Sequence, residues 1–130
     1  MTNGRDERNS AGPITPPMAG SRYLEGAAIE WQPTEAKGFW VKPLYENVER
    51  GERTLLMKVD AGASAPLHAH EEFEQIYVLE GSFYDQEKVL KAGDYCCRAP
   101  GAQHTAGTRE GSVMLLVYTK AAPGDGVPRR

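Results

Sequence analysis

The chain has only three histidines, at His68, His70 and His104. Two of them lie in segment 62–81, GASAPLHAHEEFEQIYVLEG, which opens on Gly62 and closes on Gly81. A spacing of two along an extended strand puts His68 and His70 on one face. Glu74, Ile76 and Val78 share that parity, so a regular strand adds a carboxylate to the two imidazoles. His104 ends a second stretch, 93–104, in which Gly93 can open a strand. Pro100-Gly101 can then turn the chain so that His104 swings back toward the first pair.

Three neutral imidazoles and one carboxylate suit one divalent transition metal ion, such as Fe(II), Zn, Mn or Ni. Such a donor set leaves positions open for a small-molecule ligand or substrate, water or O₂. Taken singly, each residue has a plainer reading. A histidine on a strand is ordinarily a surface or hydrogen-bonded residue, and a glutamate in the run Glu71, Glu72, Glu74 is ordinarily solvated. The joint pattern of five fixed residues has a chance frequency of roughly 10⁻⁷ per start position. We therefore read His68, His70, Glu74 and His104 as metal ligands, with Glu72 taking the place of Glu74 if the chain bulges after His70.

The elements that must position these residues read as strands. No apolar period of helical type is sustained anywhere. Short β-rich runs occur at 39–45, 54–59, 73–79, 88–90, 94–98 and 113–119, separated by turn signals at Gly51, Gly62, Gly81, Gly93, Gly101, Gly107 and Gly111. Many short strands with regular turns predict an all-β barrel or sandwich. Leu55, Met57 and Val59 should share a buried face. Residues 113–117 are all apolar, which predicts cover on both faces and suggests a homodimer.

In 94–98, Asp94 and Arg98 share parity with Cys96, so that face reads as wet and Tyr95 and Cys97 as inward. Ile76, Val78, Tyr95 and Cys97 are thus the candidates to line a cavity beside the metal. Cys96 and Cys97 are adjacent and the only cysteines, so they supply no disulfide framework. That predicts a reducing, cytoplasmic location.

The whole chain has 130 residues, 15 Lys plus Arg and 18 Asp plus Glu, for a net charge of −3. A mildly acidic chain argues against a nucleic-acid groove, and no run reaches membrane-spanning length. Residues 1–20 and 121–130 are rich in Gly, Pro and polar types and read as flexible tails. Residues 21–120 remain as a single domain of about 100 residues, enough for one core.

The spacing from Gly62 through His68, His70 and Glu74 to Gly81 resembles the first cupin motif at every fixed position. The stretch Gly93 to His104 resembles the second. It has Ala99 at the motif's proline, Pro100 one place on, and Thr108 at its final asparagine. The resemblance implies a double-stranded β-helix, or jelly-roll, covering roughly 39–120 and holding a metal on His68, His70, Glu74 and His104. The runs Tyr77 to Gly81, Ala92 to Tyr95, Ala99 to Gly101 and Glu110-Gly111 are similar to ChrR-like cupin domains of zinc-dependent anti-sigma factors. The stretch Gly38 to Leu44 is similar to small stand-alone cupin dioxygenases of the acetylacetone and dihydroxyacetophenone type. Together these imply an Fe(II)-type oxidoreductase acting on a small diketone or hydroxyketone, or else a zinc-binding sensor without catalysis.

Overall fold

The structure is a computed structural model that describes residues 12–125. Nine strands follow one another: β1 (Gln32–Pro33), β2 (Phe39–Asn47), β3 (Glu52–Val59), β4 (Ser64–His68), β5 (Phe73–Tyr84), β6 (Val89–Lys91), β7 (Tyr95–Arg98), β8 (His104–Gly107) and β9 (Ser112–Thr119). The only helical element among the described residues is a 3₁₀ turn at Gly26–Ala28. All strand pairings are antiparallel and run in the order β1-β2-β3-β9-β5-β8-β4, with β6 and β7 also on β5. The result is the expected all-β jelly-roll.

Strand β5 links the two halves of the barrel. Its first part pairs with β9 and β7, and its last residues pair with β6 and β8. Between them the chain must bend, and Gly81 sits there at φ +71°. A Cβ at that position would collide with the carbonyl oxygen of Gly111, so only glycine fits the crossing. Thr108 braces the same corner. Its hydroxyl donates to Ser82 O at 2.6 Å and accepts from Gly111 N–H at 2.9 Å.

Register explains which side chains face the interior. Directly opposed residues in an antiparallel pair point to the same face. One interior row runs Met57, Met114, Val78 and the next Leu55, Leu116, Ile76, Cys96. Val59, Ile76, Val78, Met114 and Leu116 are almost wholly buried. In β9 the burial alternates, so Val113, Leu115 and Val117 are half-buried on the outer face while Met114, Leu116 and Tyr118 are buried. The expected cover on both faces of this strand is thus seen within one chain on the inner face alone.

The same register corrects the reading of β7. Arg98 lies opposite Glu74 and Cys96 opposite Ile76, whereas Cys97 opposes Gln75 and Tyr95 opposes Tyr77. Arg98 and Cys96 therefore face inward, and Tyr95 and Cys97 face out, where both are exposed. A guanidinium was read as a mark of a wet face, but this one is mostly covered, and the Glu74 and Asp85 carboxylates beside it neutralise its charge.

Part of the expected N-terminal tail is held down. Ile14 bridges Tyr45, donating its N–H to Leu44 O and accepting from Glu46 N–H, each at 2.9 Å. The remaining tail expectations for 1–11 and 126–130 lie outside the described residues.

Candidate metal centre

Two short strands and one loop deliver the histidines. His68 ends β4 and His104 begins β8, and the two are direct cross-strand partners. Their rings lie 4.3 Å apart. His70 follows β4 in the loop to β5, where Gly101 N–H donates to His70 O at 2.7 Å. That bond ties the loop to the Pro100-Gly101 turn. One ring nitrogen from each of His68, His70 and His104 falls within 4.8 Å of the others.

The protonation pattern follows from the backbone. His68 Nδ1 lies 2.8 Å from Pro66 O, and His104 Nδ1 lies 3.0 Å from Thr105 O. A carbonyl can only accept, so each Nδ1 must carry the proton, leaving an Nε2 lone pair free. His104 is 3% exposed and its Nε2 has no hydrogen-bond partner. Burial pushes the His104 imidazole toward its neutral form, lowering its pKa. His104 is thus a buried imidazole with an unpartnered Nε2, and with the partly exposed His68 and His70 beside it the donor set fits a transition metal ion.

Glu74 stands beside the trio, in the large sheet. Its Oε2 is 3.6 Å from His70 Nε2, and its Oε1 is 3.7 Å from His104 Nε2. Its cross-strand neighbours are also its polar partners. Tyr118 O–H donates to Oε2 at 2.5 Å, and Arg98 Nε lies 3.3 Å from Oε1. Arg98 Nη1 in turn donates to Asp85 at 2.9 Å. Burial, and then the Glu74 charge, push the Tyr118 phenol far up in pKa, so it stays a donor.

A single interior row across four strands therefore reads Arg98, Glu74, Tyr118, Arg53. The Arg53 guanidinium stacks 3.9 Å from the Tyr118 ring and forks onto Glu72 at 2.9 and 3.0 Å. Glu72 is thus engaged by Arg53. Tyr118, Arg98 and Arg53 were absent from the sequence-based site. Tyr118 had a signal: it continues the buried parity of Met114 and Leu116, and a buried tyrosine needs a polar partner.

The histidines open into a cavity of about 760 Å³. Ile76 lines it, as do Arg53, Glu74 and Tyr118. Val78 is fully buried but is not among the lining residues, and Tyr95 and Cys97 lie on the far side of the sheet.

A jelly-roll with a histidine cluster between its two halves is the architecture of a cupin. The chain belongs to the ChrR cupin-like domain family, whose model matches residues 20–123. No curated protein matches its sequence. Among solved structures, a proposed acetylacetone dioxygenase from Methylibium petroleiphilum PM1 is 18% identical, with a TM-score of 0.71 over 90% of this chain and 91% of that one. A predicted oxalate decarboxylase from Thermotoga maritima is 26% identical, with a TM-score of 0.63 over 75% and 97%. Rhodobacter sphaeroides SigE in complex with the anti-sigma ChrR is 23% identical, with a TM-score of 0.60. There the match covers 68% of this chain and 49% of that chain. No helix among the described residues is long and apolar enough to cross a membrane.

Proposed function

We propose that the chain is a mononuclear metal cupin whose ion is held by His68, His70 and His104, with Glu74 as the fourth donor. The observation that carries this reading is the convergence of one ring nitrogen from each of three histidines on one cavity. Fe(II) is the ion that suits an oxidoreductase reading, and zinc the one that suits a sensor. When bound, Fe(II) would supply a Lewis-acid centre and a meeting point for a carbonyl ligand and O₂. The chain's own part is to fix the His68 and His104 rings through their Nδ1 contacts, to hold Glu74 between Tyr118 and Arg98, and to enclose a small carbonyl compound. A dioxygenase-like reaction on a diketone or hydroxyketone is the activity we favour.

The test is direct. The purified chain is stripped, loaded anaerobically with Fe(II), and mixed with a panel of diketones and hydroxyketones while O₂ is followed. Uptake with at least one compound is expected. Tight zinc and no uptake with any of them would favour the second reading, a zinc-binding sensor or regulatory cupin. The family match favours that alternative. We also propose a homodimer through the outer face of β9, and a cytoplasmic setting in keeping with two free thiols.

A further inference from the structure

The cavity is strongly two-ended. At one end stand the three histidines, Glu74 and Tyr118. Beyond them the lining is apolar: Phe39, Met57, Ile76, Phe83, Met114 and Leu116. The division follows from the sheet register. The polar row through Arg53, Tyr118 and Glu74 is followed, one step deeper, by Leu55, Leu116 and Ile76, and then by Met57, Met114 and Val78. A ligand chelating at the histidines must therefore place its remainder on hydrocarbon.

The charges say more about that ligand. Two arginines lie near the histidines, and both are already paired. Arg53 is forked by Glu72 at 2.9 and 3.0 Å, and Arg98 lies between Glu74 at 3.3 Å and Asp85 at 2.9 Å. Glu35 adds a further carboxylate to the cavity wall. Among the described residues, the lining offers no uncommitted cationic side chain to receive a second negative charge. A +2 ion with the Glu74 carboxylate as a donor has one positive charge left, so a dianion would leave one negative charge over, which Arg53 could meet only by releasing Glu72.

We infer that the occupant is a neutral or singly charged bidentate oxygen chelator carrying an apolar body of aryl or branched-alkyl size, and not a dicarboxylate. This rests on the metal reading proposed above and narrows its ligand class. A cavity of about 760 Å³ lies within the range that encloses such a molecule. The apolar body supplies affinity, and the chelating oxygens fix orientation.

The experiment uses the full chain loaded with zinc, so that no turnover intervenes. Calorimetry compares pentane-2,4-dione, 1-phenylbutane-1,3-dione and oxalate, each corrected for its own affinity for aqueous zinc. The phenyl compound is expected to bind at least tenfold tighter than pentane-2,4-dione and than oxalate. Ala36→Phe, which fills the cavity from a turn, should remove the phenyl advantage and leave pentane-2,4-dione binding in place. Glu72→Gln, which opens the Arg53 fork, should tighten oxalate. Equal binding of the two diketones, or oxalate binding tightest in the parent chain, overturns this inference while leaving the metal site intact. A chain that takes up no zinc overturns the metal reading, and this inference with it.

Discussion

His68 and His104 show how little freedom the candidate centre leaves. Each ring is pinned by a backbone carbonyl at Nδ1, so replacing either removes a donor that nothing nearby can supply. His68→Ala should bring bound metal close to zero in a stoichiometry measurement. Glu74→Gln keeps the shape and the Tyr118 contact but loses the charge. As the loss of a donor, it should lower metal affinity by at least the roughly tenfold that losing an outer-shell partner costs, without abolishing binding. Equal, undiminished metal content in both variants would mean that the ligands lie elsewhere. The Arg53–Glu72 pair makes a separate statement about pH. The hydrogen bond from Arg53 holds the Glu72 carboxyl below its ordinary pKa. A depressed folded value stabilises the fold above the unfolded carboxylate pKa, and the gain is lost as pH falls through the folded value. Both side chains are partly exposed, at 42% and 30%, so the pair contributes under about 1 kcal/mol. Urea melts should show Glu72→Gln slightly less stable at neutral pH, with the gap shrinking as pH falls through and below the ordinary carboxylate range. A constant gap across that range would remove Glu72 ionisation as its cause.

Strands with apolar alternation were legible from sequence, and the two short strands that carry His68 and His104 were not. Residues 54–59 and 113–119 announce themselves by β-branched and aliphatic residues, and both lie within observed strands. Strand β4, SAPLH, and strand β8, HTAG, carry small residues, a proline and the histidines instead. Their strand character comes from pairing with each other rather than from propensity. Parity in β7 failed for a related reason. A four-residue strand has no apolar pattern to fix its phase, and Arg98 reads as solvated until its cross-strand neighbour is known to be Glu74. The corrected register has a chemical consequence. Cys97 is exposed, while Cys96 is partly covered and burial raises its thiol pKa, which leaves less of the reactive thiolate. A thiol reagent added to the native chain should react in two phases, with Cys97→Ser removing the fast one. Loss of the slow phase in that variant, with the fast one kept, would restore the original phase of β7.

At the scale of the whole molecule, the outer face of the large sheet carries the remaining problem. One row there reads Leu56, Leu115, Tyr77, Tyr95, and the next contains Lys58, Val113 and Glu80. Tyr77 and Tyr95 are 43% and 54% exposed, and Leu79 is 44% exposed. A contiguous apolar patch on a central strand calls for cover. The arrangement fits a second copy of the same chain. A twofold axis along β9 exchanges the β3 and β5 sides, so Lys58 of one copy would meet Glu80 of the other across Val113. Leu56 would likewise meet Tyr77, which makes the surface self-complementary in the way an isologous dimer requires. Sequence alone suggested this from the unbroken apolar run 113–117. It could not show the flanking charges, which come together only through strand register. Sedimentation equilibrium should give the mass of two chains. Leu115→Lys, on the face opposite Leu116 and Tyr118, should give one chain and leave metal content per chain unchanged. A parent chain that sediments as a monomer at tens of micromolar would reject the dimer. A Leu115→Lys variant that stays dimeric would place the contact on another face.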